Sequence, residues 1–180
     1  VFDVAVSGST EYATGNLWIT PSGGPALANL SAMDDATAAD NVGVSAWNGR
    51  LIGQGEALTI HNDVLYVGGG ISGAGGQGRG MGAAFDISSD PRNPTLTDWN
   101  PRATQGGNYN DAKRITDIEI DGDTAYLAGS FWALGTATGS IARNRIGAVD
   151  LVDGDATSWD PHICDWTNGV ARTSYDIAVS

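Results

Sequence analysis

The chain has 180 residues and a formal net charge of −12 at pH 7, with Lys113 the single lysine beside eight arginines. An acidic surface of this kind repels phosphate backbones and anionic lipid, which excludes nucleic acid as the expected partner, and no stretch is apolar enough over sufficient length to enter a bilayer as a spanning helix. One cysteine, Cys164, excludes an internal disulfide framework, and 26 glycines with 41% apolar residues describe a folded, turn-rich chain.

In chain order, short alternating segments at 3–6, 11–14, 30–34 and 44–47 read as β-strands, the last carrying Ala46-Trp-Asn. A second set follows at 57–60, 64–67, 82–86 and 97–100, containing Tyr66-Val-Gly-Gly, Ala84-Phe-Asp and Asp98-Trp-Asn-Pro. The third set is the clearest. Ile118 and Ile120 alternate with Asp117 and Glu119, and Asp121-Gly-Asp is a tight turn in which glycine supplies positive φ. Residues 124–128 return with Tyr126, 145–150 form a small apolar third strand, and Thr157-Ser-Trp-Asp closes before Pro161, which cannot donate to a ladder. No segment has a helical period with caps.

The same phrase therefore occurs three times, with Tyr12, Tyr66 and Tyr126 near its start and Trp47, Trp99 and Trp159 near its end. Tyr175-Asp-Ile-Ala-Val-Ser then restates Phe2-Asp-Val-Ala-Val-Ser, the opening of a fourth copy. A period near sixty residues, with four short antiparallel strands in each, predicts an all-β chain of β-propeller blades. A parallel β-helix is the rival, disfavoured by the tight hairpin turns. The expected boundaries are a divergent first blade at 1–55, a second at 56–114, a third at 115–174 and the start of a fourth at 175–180. Three blades do not close a ring, so the expectation is an open arc or a fragment of a larger propeller, completed by further chain or further copies.

Tyr126-Leu-Ala-Gly-Ser-Phe, Arg143-Asn-Arg-Ile-Gly-Ala-Val-Asp and Ser158-Trp-Asp-Pro resemble the repeat of large secreted bacterial β-propeller proteins, a delta-60-like "YvGG-F … RnriAavD … WnP" pattern. The resemblance covers residues 56–161; in 1–55, Gly15-Asn replaces the double glycine and Trp47-Asn lacks its proline. It implies an extracellular or cell-surface structural module without an assigned reaction.

In an up-and-down blade the connections alternate between two ends. Connections one and three are predicted short, and two and four long, at 16–29, 70–80, 102–114, 130–144 and 162–173. Long connections on a rigid scaffold are where binding resides. They carry Trp18, Arg79, Tyr109, Trp132, His162 and Trp166, the candidate binding face for a protein or a glycan. The competing reading is that these rings pack beneath their own loops. A filament built through exposed blade edges is a second functional expectation, and a glycan-active hydrolase using carboxylates on the loop face is a third.

Other motifs carry less. Gly68-Gly-Gly-Ile-Ser-Gly73 matches a dinucleotide fingerprint, but the following Ala74-Gly-Gly-Gln-Gly will not hold the required helix, so it reads as a flexible glycine loop. Asp121-Gly-Asp123 and Asp153-Gly-Asp155 offer carboxylates suited to calcium, yet Asp-Gly is also what a tight turn demands. No other cofactor is expected. His162-x-Cys164 has two zinc-type ligands where a site needs three or four. Aspartate outnumbers glutamate 18 to 3, and turn formation accounts for this first. The recurring tryptophans are expected on the last strand of each blade, covering the seam to the next. Asn29-Leu-Ser31 is one glycosylation sequon.

Overall fold

In the computed structural model, residues 1–19, 27–34, 44–105, 113–162 and 174–179 are described. They form fourteen strands and, among the described residues, no helix. The first sheet is β1 (Asp3–Ser7), β2 (Thr10–Ile19), β3 (Leu27–Asp34) and β4 (Val44–Asn48), antiparallel and in chain order. The second holds β5 (Ile52–His61), β6 (Val64–Ala74), β8 (Gly82–Asp86) and β9 (Thr95–Leu96), again in order, with the short β7 (Gln77–Gly78) folded back on the end of β6. In the third, β10 (Ile115–Asp121), β11 (Thr124–Gly129) and β14 (Ile146–Asp150) pair in sequence, while β12 (Ala133–Thr136) and β13 (Gly139–Ala142) make a separate hairpin between them.

One register runs through all three sheets. Tyr12 pairs with Ala32, Tyr66 with Ala84 and Tyr126 with Ala148, so each tyrosine stands on the central ladder of its sheet. Alternation then sorts the side chains. Leu65, Val67, Ala83 and Phe85 face the first sheet, where they meet Tyr12, Leu30, Ala32 and Trp47. Tyr66, Ala84 and Trp99 face the third, against Ile118, Ala125, Leu127 and Val149. The sheets are thus stacked face to face with a hydrophobic layer in each gap, and the second is buried on both sides. Two-faced burial explains why β6 and β8 are continuous apolar and glycine runs without polar alternation. The first strand of each sheet lies against the first strand of the next, β1 on β5 and β5 on β10.

Four expectations are corrected. The glycine run from Gly68 is no loop: β6 continues through it to Ala74. Glycine is required because neighbouring chain passes too close for a side chain, a Cβ on Gly69 falling 2.1 Å from the Gln54 carbonyl oxygen and one on Gly68 falling 2.6 Å from Ile115. The 130–144 connection contains the β12–β13 hairpin. Connection three is not short: it spans 35–43 in the first sheet and 87–94 in the second. Finally, the fourth strand at 97–100 lies instead at Thr95–Leu96, and that at 157–160 shrinks to a single bridge between Ala156 and Val149.

The last correction has a local cause. Thr97 donates through both its amide and its hydroxyl to the Ala84 carbonyl, and that hydroxyl in turn receives the Trp99 amide at 3.3 Å. The turn lifts the chain out of the ladder and throws the indole across Tyr66. Ser45 and Thr157 receive the amides of Trp47 and Trp159 in the same way, at 3.1 and 3.2 Å. One residue past each indole, Asn48, Asn100 or Asp160 accepts the amide of Arg50, Arg102 or His162, and those three residues all have positive φ, between 44° and 51°. Ser/Thr-x-Trp-Asn/Asp-x-Arg/His is therefore one closed corner built three times by two successive side-chain turns.

Candidate functional site

Two surfaces carry a cleft: the end of the sheets where the second connections emerge, and the outer face of the third sheet. At the first, residues from the end of β6, the β7 turn and the segment after Pro101 enclose a cleft of about 340 Å³, with Ser72, Arg79, Thr104, Gln105 and Lys113 in its wall. Trp132 stands beside it, its amide donating to the Thr104 carbonyl at 2.7 Å. Trp18, at the end of β2, is 77% exposed. Trp18, Ser72 and Trp132 each follow their tyrosine by six residues, and Trp18 pairs with Ala28 beyond an irregularity in the β2–β3 register.

Of the six candidates, then, Arg79 and Trp132 are brought to the borders of one cleft and Trp18 stands bare on the first sheet. His162 is apart from them: it ends the third corner, exposed, with Nδ1 2.9 Å from the Asp160 carbonyl and Nε2 3.5 Å from its carboxylate. Tyr109 and Trp166 lie outside the described residues, as does Cys164, the other half of the His162-x-Cys pair.

Arg79 is held rather than free. Its guanidinium donates to the carbonyls of Thr97 (2.8 Å) and Gly78 (3.0 Å), and burial pulls its pKa down against the opposing charge of Asp98. Arg143 does the same in the third sheet, donating to the carbonyls of Thr157 (2.8 Å) and Trp159 (2.9 Å), with Asp160 beside it at 3.4 Å. Both arginines lie three residues before the third strand of their sheet, and both clamp the corner that closes it. The RNRI run marks Arg143 in the sequence; its role as a clamp arises from the fold around it.

Most described turn carboxylates are engaged by backbone. Asp86 accepts from Ser88, which lowers its pKa; Asp150 from Val152, Asp153 and Gly154; Asp153 from Asp155. The Asp153-Gly-Asp155 turn fits calcium poorly, because Asp155 is committed to Arg102 and to the Ala137 amide. In Asp121-Gly-Asp123, Asp121 ends β10 and Gly122-Asp123 is the two-residue turn to β11, with Gly122 at φ 55°. Among the described residues, no three His, Cys, Asp or Glu side chains converge.

The outer face of the third sheet was not anticipated as a site. In each sheet the tyrosine ring meets the tryptophan edge-on: Tyr12–Trp47 at 6.4 Å between centroids, Tyr66–Trp99 and Tyr126–Trp159 at 5.1 Å. The first two pairs are sealed by the following sheet. Trp47 donates its indole N–H to the Pro94 carbonyl (2.8 Å) and lies 5.2 Å from Phe85, while the Tyr12 hydroxyl donates to the Pro91 carbonyl (2.5 Å). Burial, with Asp90 nearby, pushes the Tyr12 pKa up to about 12. Trp99 donates to the Asp150 carbonyl (2.9 Å), the Asn100 amide to that of Asp153 (3.0 Å), and Arg102 pairs with Asp155. In the second and third sheets the third connection is thus the rim on which the preceding corner rests.

Among the described residues, Trp159 has no such rim. It is 37% exposed, against 9% for Trp47 and 1% for Trp99. A cleft of about 380 Å³ opens beside it, walled by Tyr126, Ile146, Pro161, Ile177 and Val179. No protein-family model matches the chain, and no curated protein matches it either.

Proposed function

We propose that the three sheets are consecutive blades of a β-propeller-type array, related to the secreted bacterial propeller proteins that the sequence resembles, and that the chain serves outside the cell as a non-enzymatic structural and adhesive module. The observation that carries the binding part is Trp18, a bare indole on a strand end whose counterparts in the other sheets, Ser72 and Trp132, line or border the loop-side cleft. A stack with two buried hydrophobic layers positions this end. A flat exposed ring suits a sugar face or a protein anchor. The strands' shared register, the first-strand contacts and the recurrent corners support the blade reading; the resemblance and the acidic, aspartate-rich composition support the extracellular one.

Glycan-array binding and capture of surface proteins, each with wild type and Trp18→Ala, test the reading. Trp18 is too exposed for its loss to shift stability by more than ~0.5 kcal/mol, so the variant should fold normally and lose retention of its ligand. Undiminished retention by Trp18→Ala would place binding elsewhere. Cleavage of an array polysaccharide would instead select the hydrolase.

A further inference from the structure

We infer that the loop-side cleft between the second and third sheets receives a carboxylate-bearing sugar, a uronate unit of an acidic glycan, with Lys113 and Arg79 taking the carboxylate. The inference rests on the reading of this end as a binding surface and names the class of ligand that it takes.

Charge carries the argument. The chain has a net charge of −12, and the arginines nearest this cleft in sequence are already neutralised, Arg102 by Asp155 and Arg114 by Glu56. Lys113, the residue before Arg114, lines the cleft with an exposed side chain that has no partner among the described residues. Arg79 comes to the same cleft from the second sheet. Its Nη1 donates to Gln77 (3.3 Å) and to the Gly78 carbonyl (3.0 Å), while Nη2 gives one hydrogen to the Thr97 carbonyl (2.8 Å) and keeps a second. Asp98 acts on Arg79 from a distance without forming an ion pair among the described residues. A half-buried guanidinium bonded to neutral acceptors retains much of its desolvation cost, which an entering carboxylate offsets.

The rest of the lining suits a sugar ring. Ile71, Met81 and Ala103 are buried and give the cleft an apolar floor for a C–H face. Ser72 donates its hydroxyl to the Ile52 carbonyl (3.3 Å) and keeps its acceptor lone pairs, and the exposed Thr104 adds a second hydroxyl. A volume of about 340 Å³ lies at the small end of ligand pockets, which start near ~300 Å³, a size for a short saccharide. Backbone bonds tie the wall together: the Met81 amide to the Ile71 carbonyl (2.9 Å), Ala103 to Gly80 (3.0 Å) and Thr104 to Ala133 (2.9 Å). Binding therefore demands little ordering of the protein. The acidic surroundings repel a dense polyanion and favour carboxylates set apart by neutral ring atoms.

Titration calorimetry on the full chain tests this with oligomers of galacturonate, glucuronate and mannuronate, their methyl esters, and a tetraglutamate peptide. Wild type should bind one of the acids, and should bind its ester and the peptide at least about tenfold more weakly. Lys113→Glu should weaken the acid by about tenfold or more, whereas Lys113→Arg should stay within about twofold of wild type. The side chain is exposed, so both variants should keep the wild-type circular dichroism. Equal binding of acid and ester overturns the inference, as does an affinity that Lys113→Glu leaves unchanged. Tighter binding of tetraglutamate overturns it in favour of an acidic peptide. Retention of neutral glycans or proteins that Trp18→Ala abolishes, with no acid bound, overturns this inference and leaves the binding-surface reading standing; no retention of any kind overturns both.

Discussion

Trp47, Trp99 and Trp159 occupy one position in one motif, yet their environments differ because burial of a corner is supplied by the sheet that follows it. Removing the Trp99 ring should cost ~3–5 kcal/mol, the range for a fully buried aromatic, whereas Trp159→Ala should cost roughly 1–2 kcal/mol because part of that ring is already wet. Equilibrium urea unfolding of the two variants measures the difference, and equal losses would contradict the open face. Asp117 gives a pH signature. Burial, with a contact from Asp176, raises its pKa to about 6 against backbone bonds that pull it down. The folded state then holds the proton more tightly than the unfolded chain, whose aspartate titrates near ~4. The stabilisation is complete below the unfolded value and is lost as pH rises through about 6. Asp117→Asn should raise the melting temperature at neutral pH and flatten its decline between about pH 4 and 6; an unaltered pH profile would show that this carboxylate is not responsible.

At the scale of the element, the closing corner carries more than the fourth strand does. In the third sheet that strand is one bridge, but the corner still forms, through Thr157, Asp160 and the Arg143 clamp. Asn100 is its most connected member, accepting from Gly80 and Arg102 at 3.0 Å each while its amide reaches Asp153. Asn100→Ala should lose ~1–3 kcal/mol, two side-chain acceptor bonds. Asn100→Asp keeps the acceptor that Asp160 uses in the third sheet, so it should lose less than half as much. Thermal denaturation of the pair discriminates an acceptor requirement from simple loss of volume. The predicted strands 97–100 and 157–160 failed at this same element. Alternation cannot tell a residue in a ladder from one thrown out of it by a threonine hydroxyl two positions earlier.

For the whole molecule, stability is unevenly shared because, among the described residues, only the second sheet has a hydrophobic layer on both faces. Native-state amide exchange should be slowest in β6 and β8, which only global opening exposes, and fastest in β1 and the segment 174–179. Uniform protection across the three sheets would mean that the stack opens as one unit. The long connections do not all serve one end. Residues 87–94 form a seam rim, with the carbonyls of Pro91, Arg92 and Pro94 taken by Tyr12, Ser45 and Trp47 of the first sheet. Loop length alone therefore overstated how one-sided the surface is.

What the sequence by itself determined is local and periodic. Strand positions in the first sheet, the Asp-Gly turns and the recurring Tyr and Trp were legible because alternation, positive φ and large rings leave marks within a few residues. Which tryptophan is sealed, why Gly68 and Gly69 lie within a strand, and that Arg79 and Arg143 clamp corners depend on groups brought together from distant stretches of chain. Burial and close approach are properties of the gap between two sheets, and neither sheet's sequence describes that gap; only the tertiary structure sets which faces are covered.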